Sequence, residues 1–155
     1  MLDGAIEFDG FDDYVDTGYT DNLATWTISA WVNSPGTPSG QRDAGPVHRE
    51  QNFQINRGHG DPAFRTAAAL NVGGFWYVAS FGTLDSHAWY HLTDTYDGQA
   101  LCAYKNGAAV TTNDLPSGNP NPDGHSLKLG RHARKANYFG GKVDDVRIYN
   151  RVVKA

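Results

Sequence analysis

Hydrophobic and polar residues alternate along most of this chain with a period of two. Residues 25–33 (TWTISAWVN) are the clearest case, with Trp26, Ile28, Ala30 and Val32 on one face. Such alternation is the mark of a strand with one face in a core. Shorter strands are expected at 5–8, from 14, at 47–49 and 52–56, at 66–72 and at 75–81. Residues 66–72 are alanine-rich, but Gly73-Gly74 follows at once and argues against a helix. A hairpin is expected from 89–96 and 101–104 around Asp97-Gly98, with a further turn at Lys105-Asn106-Gly107. Strands at 127–130 and 142–149 (KVDDVRIY) complete the set. Residues 34–46, with three prolines, and the polar stretch 113–126 are expected to be loops, where function often resides. Residues 57–62 (RGHGDP) form a turn cluster. About a dozen short strands with regular turn signals predict an all-β, antiparallel two-sheet sandwich.

Composition sharpens this picture. At 155 residues, positions 1–155 suit one domain with a core of its own. Of the 17 acidic residues only Glu7 and Glu50 are glutamates. Aspartate suits turns and glutamate suits helices, so the imbalance favours strands and turns. A formal net charge of −4 and the lack of a basic stripe argue against nucleic acid as a partner. No apolar run is long enough to insert in a membrane as a helix. Cys102 stands alone, which excludes an internal disulfide and a CxxC site; it is expected to be a small buried strand residue. Met1-Leu2-Asp3 runs straight into a strand pattern without a signal peptide, and we read the chain as a module of a larger secreted, extracellular protein.

Four stretches, in order, carry a family resemblance: AIEFDGFDDYVDTG, TISAWVN, WYHLTDTYDG…YKNG and LGRHARKANYFGGKVDDVRIYNR. Together they resemble the laminin-G-like, concanavalin-A-like jelly rolls over residues 5–151. The resemblance implies two packed sheets, one of them curved, sugar binding in many members, and a bound calcium in a good share. It also implies that Trp26, Trp31 and Trp89 pack inside. Asp94 and Lys105 stand where the family usually has apolar residues. Leu92, Asp94 and Tyr96 share one face, so Asp94 is either a buried acid needing a partner or a residue facing a ligand.

Calcium is the first chemistry to consider, because it takes several oxygen ligands from carboxylates and carbonyls. The turn Asp9-Gly10-Phe11-Asp12-Asp13 holds three carboxylates, and the last strand holds Asp144-Asp145. First and last strands lie side by side in the family, so Asp9, Asp13 and Asp144 are the expected ligands of a structural calcium, with Asp12 and Asp145 as substitutes. Sugar binding needs an exposed aromatic ringed by planar polar groups. Trp76 and Tyr77 are adjacent, so one of them faces outward. His48, Arg49, Arg131, His132 and Tyr138 would form a basic, aromatic rim suited to an acidic glycan.

Catalysis is the competing reading. The paired carboxylates of glycosidases have no counterpart as an alternating acidic strand here. A polysaccharide lyase could use His91 and Tyr104 across the hairpin, joined by His48. The expectation is therefore a non-catalytic carbohydrate-binding module whose partner is a polysaccharide or glycan. A small lyase or hydrolase acting on an acidic glycan, and a protein-interaction or spacer domain, are the alternatives.

Overall fold

The computed structural model describes residues 4–35, 43–57 and 66–153. Among these, twelve strands form two antiparallel six-stranded sheets, and there is no helix. In chain order the strands are β1 (Ile6–Asp9), β2 (Val15–Asp16), β3 (Trp26–Asn33), β4 (Ala44–His48), β5 (Gln54–Arg57) and β6 (Thr66–Val72). They continue with β7 (Phe75–Ser80), β8 (Trp89–Tyr96), β9 (Leu101–Lys105), β10 (Ala108–Asn113), β11 (Lys128–Leu129) and β12 (Gly140–Tyr149). One sheet has the order β1-β12-β3-β8-β9-β10; the other has β2-β11-β4-β5-β6-β7. The fold is a concanavalin-A-like sandwich.

The core lies between the sheets. Trp26, Ile28, Ala30 and Val32 of β3 meet Leu92 and Tyr96 of β8 and, from the second sheet, Val47, Ile55, Ala68 and Leu70. The alanine-rich β6 is a central strand of its sheet, where small side chains on both faces fit. The sequence reading missed two pieces of strand. Residues 44–46, expected in a loop, begin β4, and Ala108–Asn113 forms the edge strand β10. Most of the remaining 34–46 loop and of the 57–62 turn lies outside the described residues.

Turn chemistry sets the β9–β10 hairpin. Lys105 pairs with Ala108, leaving a two-residue loop of Asn106 (φ 51°) and Gly107 (φ 80°). Two successive positive φ values make the twisted turn that Asn-Gly favours. Asn106 then locks this tip onto β8: its N–H donates to the His91 carbonyl at 2.8 Å, and its Oδ1 accepts from the His91 N–H at 2.9 Å.

The two unusual hairpin residues are both structural. Asp94 is wholly buried, and Trp26 Nε1–H donates to its Oδ1 at 2.6 Å. Lys105 escapes the core edge by extending its amine to the Thr83 carbonyl at 3.0 Å. Cys102 is half-buried on the outer face of its sheet, level with Thr95, and not in the core as expected.

Candidate functional site

The outer face of the first sheet carries an aromatic platform that the sequence reading assigned to the core. In β3, residues alternate, so Trp31 points away from the face that holds Trp26, Ile28, Ala30 and Val32. Trp31 is level with His91 across the strands, and their rings lie 5.2 Å apart. Trp89 is level with Asn33, one diagonal step from Trp31 on the same face, and is 37% exposed. Trp26 is therefore the core tryptophan of the three, whereas Trp31 and Trp89 form a surface. Trp31, Trp89, His91 and Asn106 line a shallow depression of about 490 Å³. Among the described residues the Asn106 Nδ2 and both indole N–H groups have no acceptor, so they can donate to hydroxyls.

A second groove of about 450 Å³ continues from His91 along the same face. Its floor is Thr27, Ser29, Thr93, Thr95 and Tyr104. Hydroxyls along an apolar-walled groove, with tryptophans at one end, match the mixed stacking and hydrogen bonding of a sugar ring. His91 and Tyr104, expected to face each other, do line the same groove; His48 belongs to the other sheet and does not join them.

The expected basic rim resolves into three separate arrangements. Arg49 is fully buried and is not on a rim: its Nη2 lies 2.6 Å from the Thr20 carbonyl, 2.9 Å from Asn22 Oδ1 and 2.7 Å from the Asp123 carbonyl. It clamps two loops to β4. His48 and His132 are also buried, with their rings stacked at 4.1 Å. His48 Nδ1 accepts from the Ala133 N–H, and His132 Nδ1 accepts from Arg134 and Lys135. Glu50 Oε2 lies 3.6 Å from His132 Nε2, and burial raises the Glu50 carboxyl above its ordinary range. Two histidines and a carboxylate suggest a metal set, but the geometry speaks against one. Each neutral ring that accepts at Nδ1 carries its proton on Nε2, the atom a metal would need. We read this cluster as the latch that holds residues 131–137 against β4.

Arg131 and Tyr138 remain at the surface. They form a β-bridge, and the Arg131 guanidinium lies against both neighbouring rings, 4.8 Å from the Tyr14 centroid and 5.3 Å from that of Tyr138. Tyr14, 44% exposed, was not singled out from sequence, because its partner ring lies more than a hundred residues away along the chain. On edge strand β7, Trp76 faces outward at 38% exposure while Tyr77 packs on the core, so Trp76 is the exposed member of that pair.

Asp9, Asp12 and Asp13 converge, with ligand oxygens within 4.8 Å of one another. Phe11 and Asp12 N–H groups donate to Asp9 Oδ1, which holds the Asp9 carboxyl below its ordinary range. β1 does pair with β12, but Asp9 is level with Gly140. Asp144 is four positions further along β12, roughly 13 Å of strand, and it pairs across to Trp31. The register therefore separates Asp144 from the Asp9 turn.

Comparison with known proteins agrees with this architecture. Residues 8–155 match the laminin-G family model described as the concanavalin A-like lectin/glucanases superfamily. The chain belongs to that superfamily. Among solved structures it is similar to a heptameric SAP-like pentraxin from Limulus polyphemus (TM-score 0.72, 13% identity, 97% of this chain and 77% of that one). It is equally similar to a putative carbohydrate binding protein from Bacteroides ovatus (TM-score 0.72, 19% identity, 96% of this chain and 45% of that one). Domain 4 of AbnA, a GH43 extracellular arabinanase from Geobacillus stearothermophilus solved with arabinotriose, matches at TM-score 0.62 and 18% identity, over 94% of this chain and 66% of that one. These structures share the fold; the identities are too low to carry a ligand across. The chain spans less than half of the Bacteroides protein and just under two thirds of the arabinanase chain. A search of curated proteins finds no match.

Proposed function

We propose that this superfamily member is a carbohydrate-binding module that holds a larger secreted protein against a polysaccharide. The observation that carries the reading is the Trp31–Trp89 platform, flanked by His91 and Asn106 and continuous with a hydroxyl-lined groove. A neutral sugar face stacks on the indoles while ring hydroxyls take the indole N–H groups and the Asn106 amide. The two similar proteins described by carbohydrate binding or a bound arabinotriose support the same class of ligand.

Calorimetry or affinity electrophoresis against a panel of neutral and acidic polysaccharides tests this. At least one neutral glycan is expected to bind, and Trp89→Ala is expected to weaken it by about tenfold or more, since a stacked aromatic at the centre of a site carries much of its affinity. Silence across the neutral polysaccharides, or equal binding of them by the Trp89→Ala variant, would remove the proposal. A lyase reading would rest on His91 and Tyr104, which share the groove. Growth of unsaturated-product absorbance on an acidic polysaccharide would favour it instead.

For calcium, the three carboxylates of Asp9, Asp12 and Asp13 suit an oxygen-seeking cation, each keeping an oxygen for it, while Asp144 is too far along the sheet to join. The expected result is a melting temperature several degrees higher in millimolar calcium than in chelator, because a ligand bound only by the folded state stabilises it. Asp13→Asn should abolish that difference. Identical melting of the parent protein in both conditions would dismiss the cation.

A further inference from the structure

The Tyr14–Arg131–Tyr138 cluster is distinct from the tryptophan platform. It lies at the end of the sandwich where β1 ends, β12 starts and β2 begins. Three features set it apart from an ordinary surface arginine.

The first is charge. Lys128 reaches the carboxylate of Asp16, and Arg134, Lys135, Lys142 and Arg147 have carboxylate neighbours as well. Arg131 has none. Of the acids near Tyr14 in the chain, Asp16 holds Lys128 and Ser126, and Asp13 Oδ2 accepts from the Asp9 N–H. The second is orientation. The Arg131 Nε–H donates to the Lys135 carbonyl at 3.1 Å, and both tyrosine rings pack against the guanidinium. The terminal Nη groups have no acceptor among the described residues. A fork held in place loses little freedom on binding, so more of its interaction is realised as affinity. The third is the company it keeps. The Tyr14 and Tyr138 rings are 6.3 Å apart, and neither phenolic hydroxyl has a hydrogen-bond partner among the described residues.

We infer that Tyr14, Arg131 and Tyr138 form a second ligand subsite, which takes the oxyanion of an acidic sugar. The Nη groups of Arg131 donate to a carboxylate or sulfate in bidentate fashion, and the tyrosine hydroxyls complete its shell. This subsite does not depend on the Trp31–Trp89 platform. It extends the carbohydrate reading from neutral ring faces to charged substituents.

Affinity electrophoresis of the whole chain through gels containing polygalacturonate, dextran sulfate or plain dextran tests the assignment. The protein is expected to be retarded by at least one of the two acidic polymers, and the responding gel identifies carboxylate or sulfate as the group. Arg131→Gln should lose about tenfold in affinity there. Tyr138→Phe, which keeps the ring and removes the hydroxyl, should lose a smaller part. Trp89→Ala should leave the acidic retardation intact. Melting curves of each variant confirm that it folds; a variant that does not is replaced by Arg131→Lys, which keeps the charge but loses the fork. No retardation by either acidic polymer overturns the subsite, as does equal retardation of the parent protein and a folded Arg131 variant. If the neutral polysaccharides of the wider panel still bind through Trp89, the platform stands while this subsite falls.

Discussion

Replacing Asp94 with Asn is expected to stabilise the protein above neutral pH and to flatten much of its pH dependence. Asp94 is completely buried between β3 and β9, with Trp26 Nε1–H on Oδ1 and no partner on Oδ2. Desolvation pushes its carboxyl up to about 8, although the Trp26 hydrogen bond pulls the other way. The folded state thus keeps its proton where the unfolded chain, titrating near 3.8, has already lost one. The state that binds more protons is favoured by acid. Stability from this group is intact below about pH 4 and falls steadily as pH rises towards 8, where it levels off. At about 1.4 kcal/mol per unit, the whole fall is about 6 kcal/mol.

Asn keeps the acceptor for Trp26 and cannot ionise. Denaturant unfolding across pH 4–9 should therefore show the parent protein weakening relative to Asp94→Asn by several kcal/mol. Near pH 8 the variant should melt roughly 10 °C higher, at about 2–4 °C per kcal/mol for a domain of this size. A difference between the two proteins that does not change with pH would show that the carboxyl titrates in its ordinary range. Other acids shift as well, Glu50 upward and Asp16 downward, so the comparison between variants isolates Asp94.

Gly130→Ala is expected to cost about 3 kcal/mol or more. Gly130 ends the β11 segment with φ at 77°, and a Cβ there would lie 2.4 Å from the Phe8 ring. The left-handed backbone alone costs a non-glycine residue roughly 1–2 kcal/mol, and forcing a methyl into a packed core adds about 1–3 kcal/mol. Phe8 has little room to retreat, being 3% exposed within the core. Gly130 also accepts from the Phe139 N–H and donates to the Pro46 carbonyl, so the strain would pass to the segment carrying Arg131 and Tyr138. Thermal melting should show a fall of roughly 6–12 °C. Gly124→Ala, with nothing within 4 Å of the new methyl and no positive φ, should melt as the parent does. Equal melting of the Gly130 and Gly124 variants would mean that Phe8 yields easily.

The residues that were legible from sequence share one property: their fate depends on neighbours along the strand. Alternation placed Trp26 inward and made Asp94 a candidate buried acid, both of which the packing bears out. The adjacent pair Trp76 and Tyr77 had to split between faces, and it does. Trp31 violates the inward reading by the same rule, since it alternates with Trp26; reading it as core set a family habit above the pleat.

The misplaced residues depend on which strand lies opposite and in what register. Asp144 shares a strand pair with the Asp9 turn, yet the register sets them four positions apart. His48 and Arg49 looked like rim residues until loops from far along the chain closed over them. Tyr14 and Tyr138 meet only because β1, β2, β11 and β12 end at one corner.

Period-two patterning and turn residues by themselves determined a sandwich of short antiparallel strands, because burial of one face per strand and the φ preferences of Gly, Asn and Asp act locally. Cross-strand register and loop closure, decided only by the tertiary structure, put Trp31 beside Trp89, left Arg131 without a carboxylate and separated Asp144 from Asp9. Those outcomes depend on the packing of the whole core, which spans residues that local sequence cannot pair.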